Sequence, residues 1–137
     1  ADLPWHQDCG LGGHPVLCPS VAIGIQLDHA GPETGQLRFL AGSHRGSWPE
    51  FRADELATLP VHGIVAEPGD VTVHLGHVLH VAPLPVGGGA GRRTMYVTAC
   101  RPETLAFVGP GRGYNDVLFA RDGQVHDIDE IVGGPNT

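Results

Sequence analysis

The 137-residue chain is long enough for one domain with its own core, and 41% of its residues are hydrophobic. Its net charge of −7, without any basic cluster, argues against nucleic-acid binding. No apolar stretch reaches membrane-spanning length, no signal peptide opens the chain, and three cysteines without C-x-x-C spacing disfavour a disulfide framework or a zinc knuckle. We therefore expect a cytoplasmic protein that has no nucleic-acid or membrane partner.

Five segments have the β-branched and aliphatic composition of strands and are bounded by Gly, Pro, Asp or Asn. They are residues 21–27, 36–40, 63–66, 71–75 and 93–99. Only residues 48–59 have a helical pattern, which Pro60 ends. Beyond Pro102 we expect one edge strand at 116–120 and a tail over 127–137. Many short strands with one short helix predict a mainly-β sandwich or barrel.

The first motif with chemical meaning is His6-Gln7-Asp8. In an extended segment, residues i and i+2 project to the same face, so this imidazole and this carboxylate can bind adjacent positions of one metal ion. A histidine from a distant strand would complete a facial triad of two histidines and one carboxylate, which leaves positions for a chelating cosubstrate and dioxygen. Alone, the motif is common, and a surface histidine beside a solvated aspartate is its ordinary interpretation.

A third metal ligand is expected after Pro68-Gly69-Asp70 and the strand that follows it. Three histidines, His74, His77 and His80, lie close together in this part of the sequence, and any one of them can close the triad. The ordinary interpretation is that they are residues of a strand and a turn.

A candidate site for a carboxylate follows in Arg92-Arg93-Thr94, after a glycine-rich loop. A guanidinium group forms a planar, two-point pair with a carboxylate, which suits the distal carboxylate of 2-oxoglutarate. The threonine lies two residues after Arg92 and faces the same way. A solvated basic pair is the alternative interpretation.

The order of these motifs resembles the phytanoyl-CoA dioxygenase family from Pro4 to about Ala99. The segment Pro4-Trp5-His6-Gln7-Asp8 is similar to the first ligand motif of that family. The block from Leu27-Asp28 to Gly42-Ser43-His44 is similar to its central block. Pro68-Gly69-Asp70, with His80 ten residues after Asp70, is similar to its distal-ligand segment.

This resemblance implies a double-stranded β-helix (jelly roll) and a set of catalytic residues. His6, Asp8 and His80 are expected to hold Fe(II), and Arg92 with Thr94 is expected to bind the C5 carboxylate of 2-oxoglutarate. Arg92 is preferred to Arg93 because Thr94 lies on its face.

The implied activity is that of an Fe(II)- and 2-oxoglutarate-dependent dioxygenase. Such an enzyme uses O2 to hydroxylate an unactivated carbon of a small organic substrate and decarboxylates 2-oxoglutarate to succinate. Asp8 favours hydroxylation over halogenation, because related halogenases carry a small residue in place of the carboxylate. Gln26, Asp28 and His44 are further candidates to line the pocket, whereas Trp5 is expected to pack.

Two departures from the family pattern shape the remaining expectations. Val81-Ala82-Pro83 follows His80 where the family usually has Gly-Ser, which keeps His77 as a second candidate. The family also carries a segment upstream of H-x-D. We therefore expect residues 1–137 to form the C-terminal part of a larger oxygenase domain, with a core over 4–100 and an extension over 101–137. Such a chain would expose a sheet edge and apolar surface.

Two other functions are compatible with the sequence. One is a metal-binding jelly roll of the cupin type, an isomerase or small-ligand binder, for which a carboxylate clamp at Arg92 has no purpose. The other is a catalytically inactive fragment with a structural or interaction role.

Overall fold

The computed structural model describes residues 3–8, 20–45, 52–99, 102 and 128–132. Its strands are Leu3–His6 (β1), Val21–Gln26 (β2), Arg38–Leu40 (β3), Val61–Gly63 (β4), Val71–Leu75 (β5), His80–Ala82 (β6) and Thr94–Ala99 (β7). Two one-turn α-helices, Ala53–Leu56 (α1) and Asp129–Val132 (α2), and three short 3-10 turns complete this part of the chain. None of its helices is long and apolar enough to cross a membrane.

The strands form two antiparallel sheets. One has four strands in the order β1-β6-β3-β4, and the other has three strands in the order β5-β2-β7. β2 is the centre of the smaller sheet, where Ala22 pairs with His74 of β5 on one side and with Thr98 of β7 on the other. Short antiparallel strands with scarcely any helix confirm the predicted mainly-β class.

The predicted strands agree best with the three-stranded sheet. The segments 21–27, 71–75 and 93–99 correspond to β2, β5 and β7, and 36–40 shortens to β3. The prediction for 63–66 was misplaced, because β4 ends at Gly63 and Ala66 forms only an isolated bridge with Ala30. Of the predicted helix 48–59, only Ala53–Leu56 is helical among residues 52–59. Residues 48–51, the strand predicted at 116–120 and all three cysteines lie outside the described residues.

The Pro-Gly-Asp motif forms the turn that starts β5. Gly69 has a φ of 95°, and the Asp70 amide donates to the Glu67 carbonyl at 3.0 Å. Proline at the second turn position and a positive-φ glycine at the third are typical of a type II turn. The Asp70 carboxylate accepts a hydrogen bond from the Glu67 amide at 2.8 Å, which closes the turn a second time. The turn thereby sets β5 in register against β2.

The described hydrophobic core lies on one face of the four-stranded sheet. Because side chains alternate along a strand, Trp5, Leu40 and Val81 project from this face while their neighbours His6, Phe39 and His80 project from the other. Leu56 of α1 packs against the first group, and so does Ile128, which is only 6% exposed. The prediction that 127–137 is a tail is therefore wrong for this segment, where a four-residue helix is too short to show a periodic pattern.

The outer face of the three-stranded sheet is apolar and lacks a cover among the described residues. Val71, Val73 and Leu75 of β5 are 44–63% exposed, and Met95 and Val97 of β7 are about half exposed. The described part of the chain thus exposes apolar surface on this face. The inner face of the same sheet faces the space between the two sheets; its residues Ala22 and His74 are buried, whereas Tyr96 and Thr98 of β7 are exposed.

Candidate metal centre and cosubstrate site

The structure brings His6, Asp8 and His80 together between the two sheets. Their ligating atoms all lie within 4.8 Å of one another. Oδ1 of Asp8 is 3.7 Å from Nε2 of His6 and 3.6 Å from Nε2 of His80, so a single oxygen faces both imidazoles. Ligand atoms on adjacent positions of a metal at about 2.1 Å lie roughly 3 Å apart, and the observed spacing is close to that distance. Two imidazole nitrogens with a carboxylate oxygen suit Fe(II).

The tautomers of both histidines are fixed by backbone carbonyls. Nδ1 of His6 lies 2.7 Å from the Pro4 carbonyl oxygen, and Nδ1 of His80 lies 3.0 Å from that of Val78. Since a carbonyl only accepts hydrogen bonds, Nδ1 carries the proton in each ring. The lone pair is then on Nε2, the atom that faces Asp8. Such an outer hydrogen bond is the usual support of a metal-binding histidine.

Burial keeps both imidazoles neutral. Desolvation is the main cause that lowers the pKa of His80 to about 3, and the neighbouring His6 lowers it further while Asp8 opposes the change. Desolvation also lowers the pKa of His6, against the opposing effects of the Pro4 carbonyl and Asp8. A neutral imidazole is the form that binds a metal ion, so the site needs no deprotonation step at neutral pH.

Pairing between β1 and β6 places the two histidines side by side. His6 and His80 are register partners, and their ring centroids are 4.1 Å apart. The register of this pairing shifts between Leu3 and His6. Because of this irregularity, the side chains of Leu3 and His6 both point into the space between the two sheets. Asp8 follows directly after β1 and reaches the same space.

Two buried side chains that the sequence did not single out hold this arrangement. Gln7 donates from Nε2 to the His77 carbonyl at 2.6 Å, which links the first ligand motif to the turn before β6. Ser43 accepts at Oγ a hydrogen bond from the Leu79 amide at 2.8 Å. Both hydrogen bonds join residues far apart in the sequence, so no local sequence pattern predicts them.

The three candidate histidines for the third ligand position separate clearly in the structure. His80 belongs to the cluster, whereas in the described part of the chain His77 does not. His74 is placed differently again, because its Nε2 lies 3.0 Å from Oδ2, the other oxygen of Asp8. The geometry therefore favours His80, in keeping with the predicted set, and gives His74 a separate contact.

A cavity of about 280 Å³ opens onto this cluster. It is lined by Leu3, His6, Asp8, Ala22, Leu37, His74, His80, Tyr96 and Thr98. Apart from His6, Asp8, His74 and His80, its wall is mostly apolar. A wall of this kind suits a largely apolar ligand.

Arg92 and Thr94 form a hydrogen-bonded group with Gln26 on the inner side of the three-stranded sheet. Nη1 of Arg92 donates to Oγ1 of Thr94, which in turn donates to Oε1 of Gln26 at 2.9 Å. Nε of Arg92 donates to the Gly35 carbonyl at 3.0 Å. Along β2 and β7, Gln26 and Thr94 are on the same face as Ala22 and Thr98, which line the cavity.

Two further pocket predictions were wrong. Asp28 is at the surface, where it pairs with Arg93. His44 borders another cavity, of about 470 Å³, together with Phe39, Thr72 and His74. Trp5, by contrast, packs in the core as expected.

Residues 1–93 match the model of the family described as phytanoyl-CoA dioxygenase (PhyH). The chain belongs to the phytanoyl-CoA dioxygenase family. This membership confirms the resemblance predicted from the sequence. No curated protein sequence matches the chain.

Solved structures of similar proteins support the family fold. AviO1 from Streptomyces viridochromogenes Tue57 is 30% identical, with a TM-score of 0.59 over 74% of this chain and 44% of AviO1. EvdO2 from Micromonospora carbonacea var. aurantiaca, complexed with 2-oxoglutarate, is 28% identical, with a TM-score of 0.51 over 72% of this chain and 44% of EvdO2. This chain thus spans less than half the length of either relative.

A third structure shows the fold alone. The epimerase SnoN, in complex with Fe3+, alpha ketoglutarate and nogalamycin RO, is 22% identical, with a TM-score of 0.55 over 82% of this chain and 50% of SnoN. The predicted jelly roll of the phytanoyl-CoA dioxygenase family is confirmed by these structures and by the two antiparallel sheets.

Proposed function

We propose that this chain carries the Fe(II) and 2-oxoglutarate site of an oxygenase that hydroxylates an unactivated carbon of a small organic substrate. The observation on which this proposal rests is the position of Asp8 Oδ1 opposite the Nε2 atoms of both His6 and His80. The complex of the similar protein EvdO2 with 2-oxoglutarate agrees with it.

His6, Asp8 and His80 would hold the iron, which supplies activation of O2 coupled to decarboxylation of 2-oxoglutarate to succinate. The chain contributes the geometry. Each imidazole is held by a carbonyl behind it, so its Nε2 is oriented before any metal arrives. Preorganised ligands of this kind lose little side-chain entropy on binding.

Arg92 and Thr94 would bind the C5 carboxylate of 2-oxoglutarate. The guanidinium is half-buried and is oriented by the Gly35 carbonyl. The Thr94 hydroxyl donates its single hydrogen to Gln26, so on binding it would turn this hydrogen from Gln26 to the carboxylate. A charge-assisted hydrogen bond from a held guanidinium is about twice as strong as a neutral one. A cupin-type isomerase has no use for this pair, which favours the oxygenase over that alternative.

The cavity wall supports a small and largely apolar organic substrate. Leu3, Ala22 and Leu37 line it beside the candidate ligands, and Tyr96 adds an aromatic ring. An apolar wall strengthens the electrostatic interactions of the ligands and limits the access of water. The presence of Asp8 supports hydroxylation rather than halogenation, because the carboxylate fills the position that a halide would need.

The proposal is tested by anaerobic titration with Fe(II) and then 2-oxoglutarate, which should produce a visible metal-to-ligand charge-transfer band. Asp8→Ala is expected to lose the band and to lower 2-oxoglutarate turnover at least 100-fold, as loss of a charged ligand implies. Asp54→Ala is the matched control, because Asp54 pairs with Arg52 at the surface. A wild-type protein without the band, or an Asp8→Ala variant with full turnover, would contradict the proposal.

A further inference from the structure

The two oxygens of the Asp8 carboxylate have different neighbours. Oδ1 faces the Nε2 atoms of His6 and His80, at 3.7 and 3.6 Å. Oδ2 lies 3.0 Å from Nε2 of His74, a hydrogen-bonding distance between two side chains separated by 66 residues in the sequence. One oxygen of the carboxylate therefore faces the candidate metal position, and the other contacts a third histidine.

We propose that His74 is a positioning residue: its Nε2–H holds Oδ2 of Asp8, so that Oδ1 alone faces the metal. This inference rests on the proposed function, because it takes Asp8 as a metal ligand. A carboxylate that bound through both oxygens would fill one more coordination position. One position fewer would then remain for the chelating cosubstrate and O2 that the proposed reaction requires.

The hydrogen on Nε2 of His74 follows from the surroundings of its ring. An ionised carboxylate only accepts hydrogen bonds, so a 3.0 Å contact requires the donor to be Nε2. Nδ1 of His74 is buried and has no hydrogen-bond partner in the part of the chain that the structure describes. The opposite tautomer would set two lone pairs against each other and would also bury an N–H group without an acceptor, which costs more.

The fold leaves the His74 ring little freedom. The residue is on the inner face of β5, where its register partner in β2 is the small Ala22. Its ring packs against Phe39 and His80, at centroid distances of 5.0 and 4.6 Å, and only 8% of the residue is exposed. A ring held in this way presents its N–H group to Asp8 before the metal binds.

The same geometry separates His74 from the candidate ligands. The ligating atoms of His6, Asp8 and His80 form one group within 4.8 Å, and His74 is outside that group in the described residues. Its nearest contact is with the oxygen that does not face the two Nε2 atoms. A supporting hydrogen bond to a metal-binding carboxylate typically changes metal affinity by about 10- to 100-fold.

The test measures Co(II) binding by the full chain under anaerobic conditions, without 2-oxoglutarate. His74→Phe keeps a ring against Phe39 but removes the donor, and it should raise the dissociation constant of Co(II) by about 10- to 100-fold. His74→Gln restores an amide donor at a similar reach and should bind Co(II) within about threefold of wild type. Thr72→Val, on the same face of β5, is the control and should leave the dissociation constant unchanged.

Two results would overturn the proposal. Unchanged Co(II) affinity in His74→Phe would show that the contact does not position Asp8. Equal losses in His74→Phe and His74→Gln, with one nitrogen ligand fewer in the X-ray absorption spectrum, would show that His74 is itself a ligand.

A measurement on the wild-type protein tests the tautomer of His74 without any substitution, so it does not depend on the folding of a variant. The 15N spectrum of the His74 ring should show the Nε2–H tautomer, and an Nδ1–H tautomer would contradict the proposal. Co(II) binding needs neither 2-oxoglutarate nor O2. A wild-type protein that binds Co(II) in a His74-dependent way but gives no 2-oxoglutarate band would therefore contradict the proposed function and leave the role of His74 standing.

Discussion

The guanidinium of Arg93 pairs with both carboxylate oxygens of Asp28, from Nε to Oδ2 at 2.8 Å and from Nη2 to Oδ1 at 2.9 Å. Hydrogen bonding to Arg93 is the main cause that lowers the pKa of Asp28 to about 2. A pair this exposed adds little to stability. It does distinguish two consecutive arginines, because Arg93 is engaged at the surface while Arg92 contacts Thr94 on the inner side.

Arg92→Ala should therefore weaken 2-oxoglutarate binding, and Arg93→Ala should not. Removing a charged hydrogen-bond donor costs about 1.5–3 kcal/mol, which corresponds to a rise in the dissociation constant of roughly 10- to 150-fold. The measurement is titration of the Fe(II)-loaded protein with 2-oxoglutarate. Arg93→Ala is the matched control, and a larger effect in that variant than in Arg92→Ala would reverse the assignment.

Stability of the metal-free protein should fall as the pH drops below about 6.5. The unfolded chain takes up a proton at His80 near that pH, whereas burial lowers the folded-state pKa to about 3. Between these two values the unfolded state binds more protons, so its free energy falls relative to the folded state. From pH 7 to pH 5, His80 alone should lower the free energy of unfolding by about 2 kcal/mol, measured by denaturant titration.

The variant His80→Gln removes the titrating group and should flatten this pH dependence. His62→Gln is the control, because His62 is exposed on β4 and lies outside the cluster. An unchanged slope in His80→Gln would show that the pH dependence arises elsewhere.

Ser43→Ala should destabilise the protein and disturb the metal position together. The Ser43 hydroxyl accepts the Leu79 amide, one residue before His80. A buried N–H group left without its acceptor costs about 1–3 kcal/mol. Thermal unfolding measures the loss, and Thr58→Ala, which removes an exposed hydroxyl, should stay within about 0.5 kcal/mol of wild type. Equal effects of the two variants would contradict the role of Ser43.

Gly24→Ala should be costly for a steric reason. A Cβ at Gly24 would lie 2.8 Å from both Thr72 Oγ1 and Tyr96 Cε1, because the tyrosine ring crosses β2 at this point. Accommodating it requires movement of a cavity-lining ring, for which we expect a loss of about 1–3 kcal/mol in unfolding free energy. Gly91→Ala serves as the control, since its Cβ would meet only Pro85 at 3.6 Å. A Gly24→Ala variant as stable as wild type would show that Tyr96 moves freely.

The sequence predicted the elements and residues that have local patterns. β2, β5 and β7 are five to six residues long and rich in β-branched residues, so their composition is informative. β1 and β6 have only four and three residues, and each carries a histidine toward the inside, so neither resembles an ordinary strand. The proposed ligand His80 was predicted only from the resemblance of the segment from Pro68 to His80 to the distal-ligand segment of the family, not from the pattern of its own strand.

The parts of the site that sequence reasoning missed are pairs between distant residues. His74 meets Asp8 across 66 positions, and Gln7 meets the His77 carbonyl across 70. Neither pair has a fixed sequence spacing, because strand pairing within a sheet and packing of one sheet against the other decide which residues face each other. Ile128 joins the core from a one-turn helix for the same reason.

The apolar outer face of the three-stranded sheet sets the conditions under which the protein stays dispersed in water. Alternate residues of β2, β5 and β7 project Val, Ile, Leu, Met and Ala side chains from this face, while the chain carries a net charge of −7. Repulsion between like-charged molecules opposes contact between two such faces, and added salt shortens its range to about 8 Å at physiological ionic strength. Sulfate both screens this repulsion and strengthens apolar association. The protein should therefore stay dispersed in dilute buffer, and added salt should promote self-association through this apolar face.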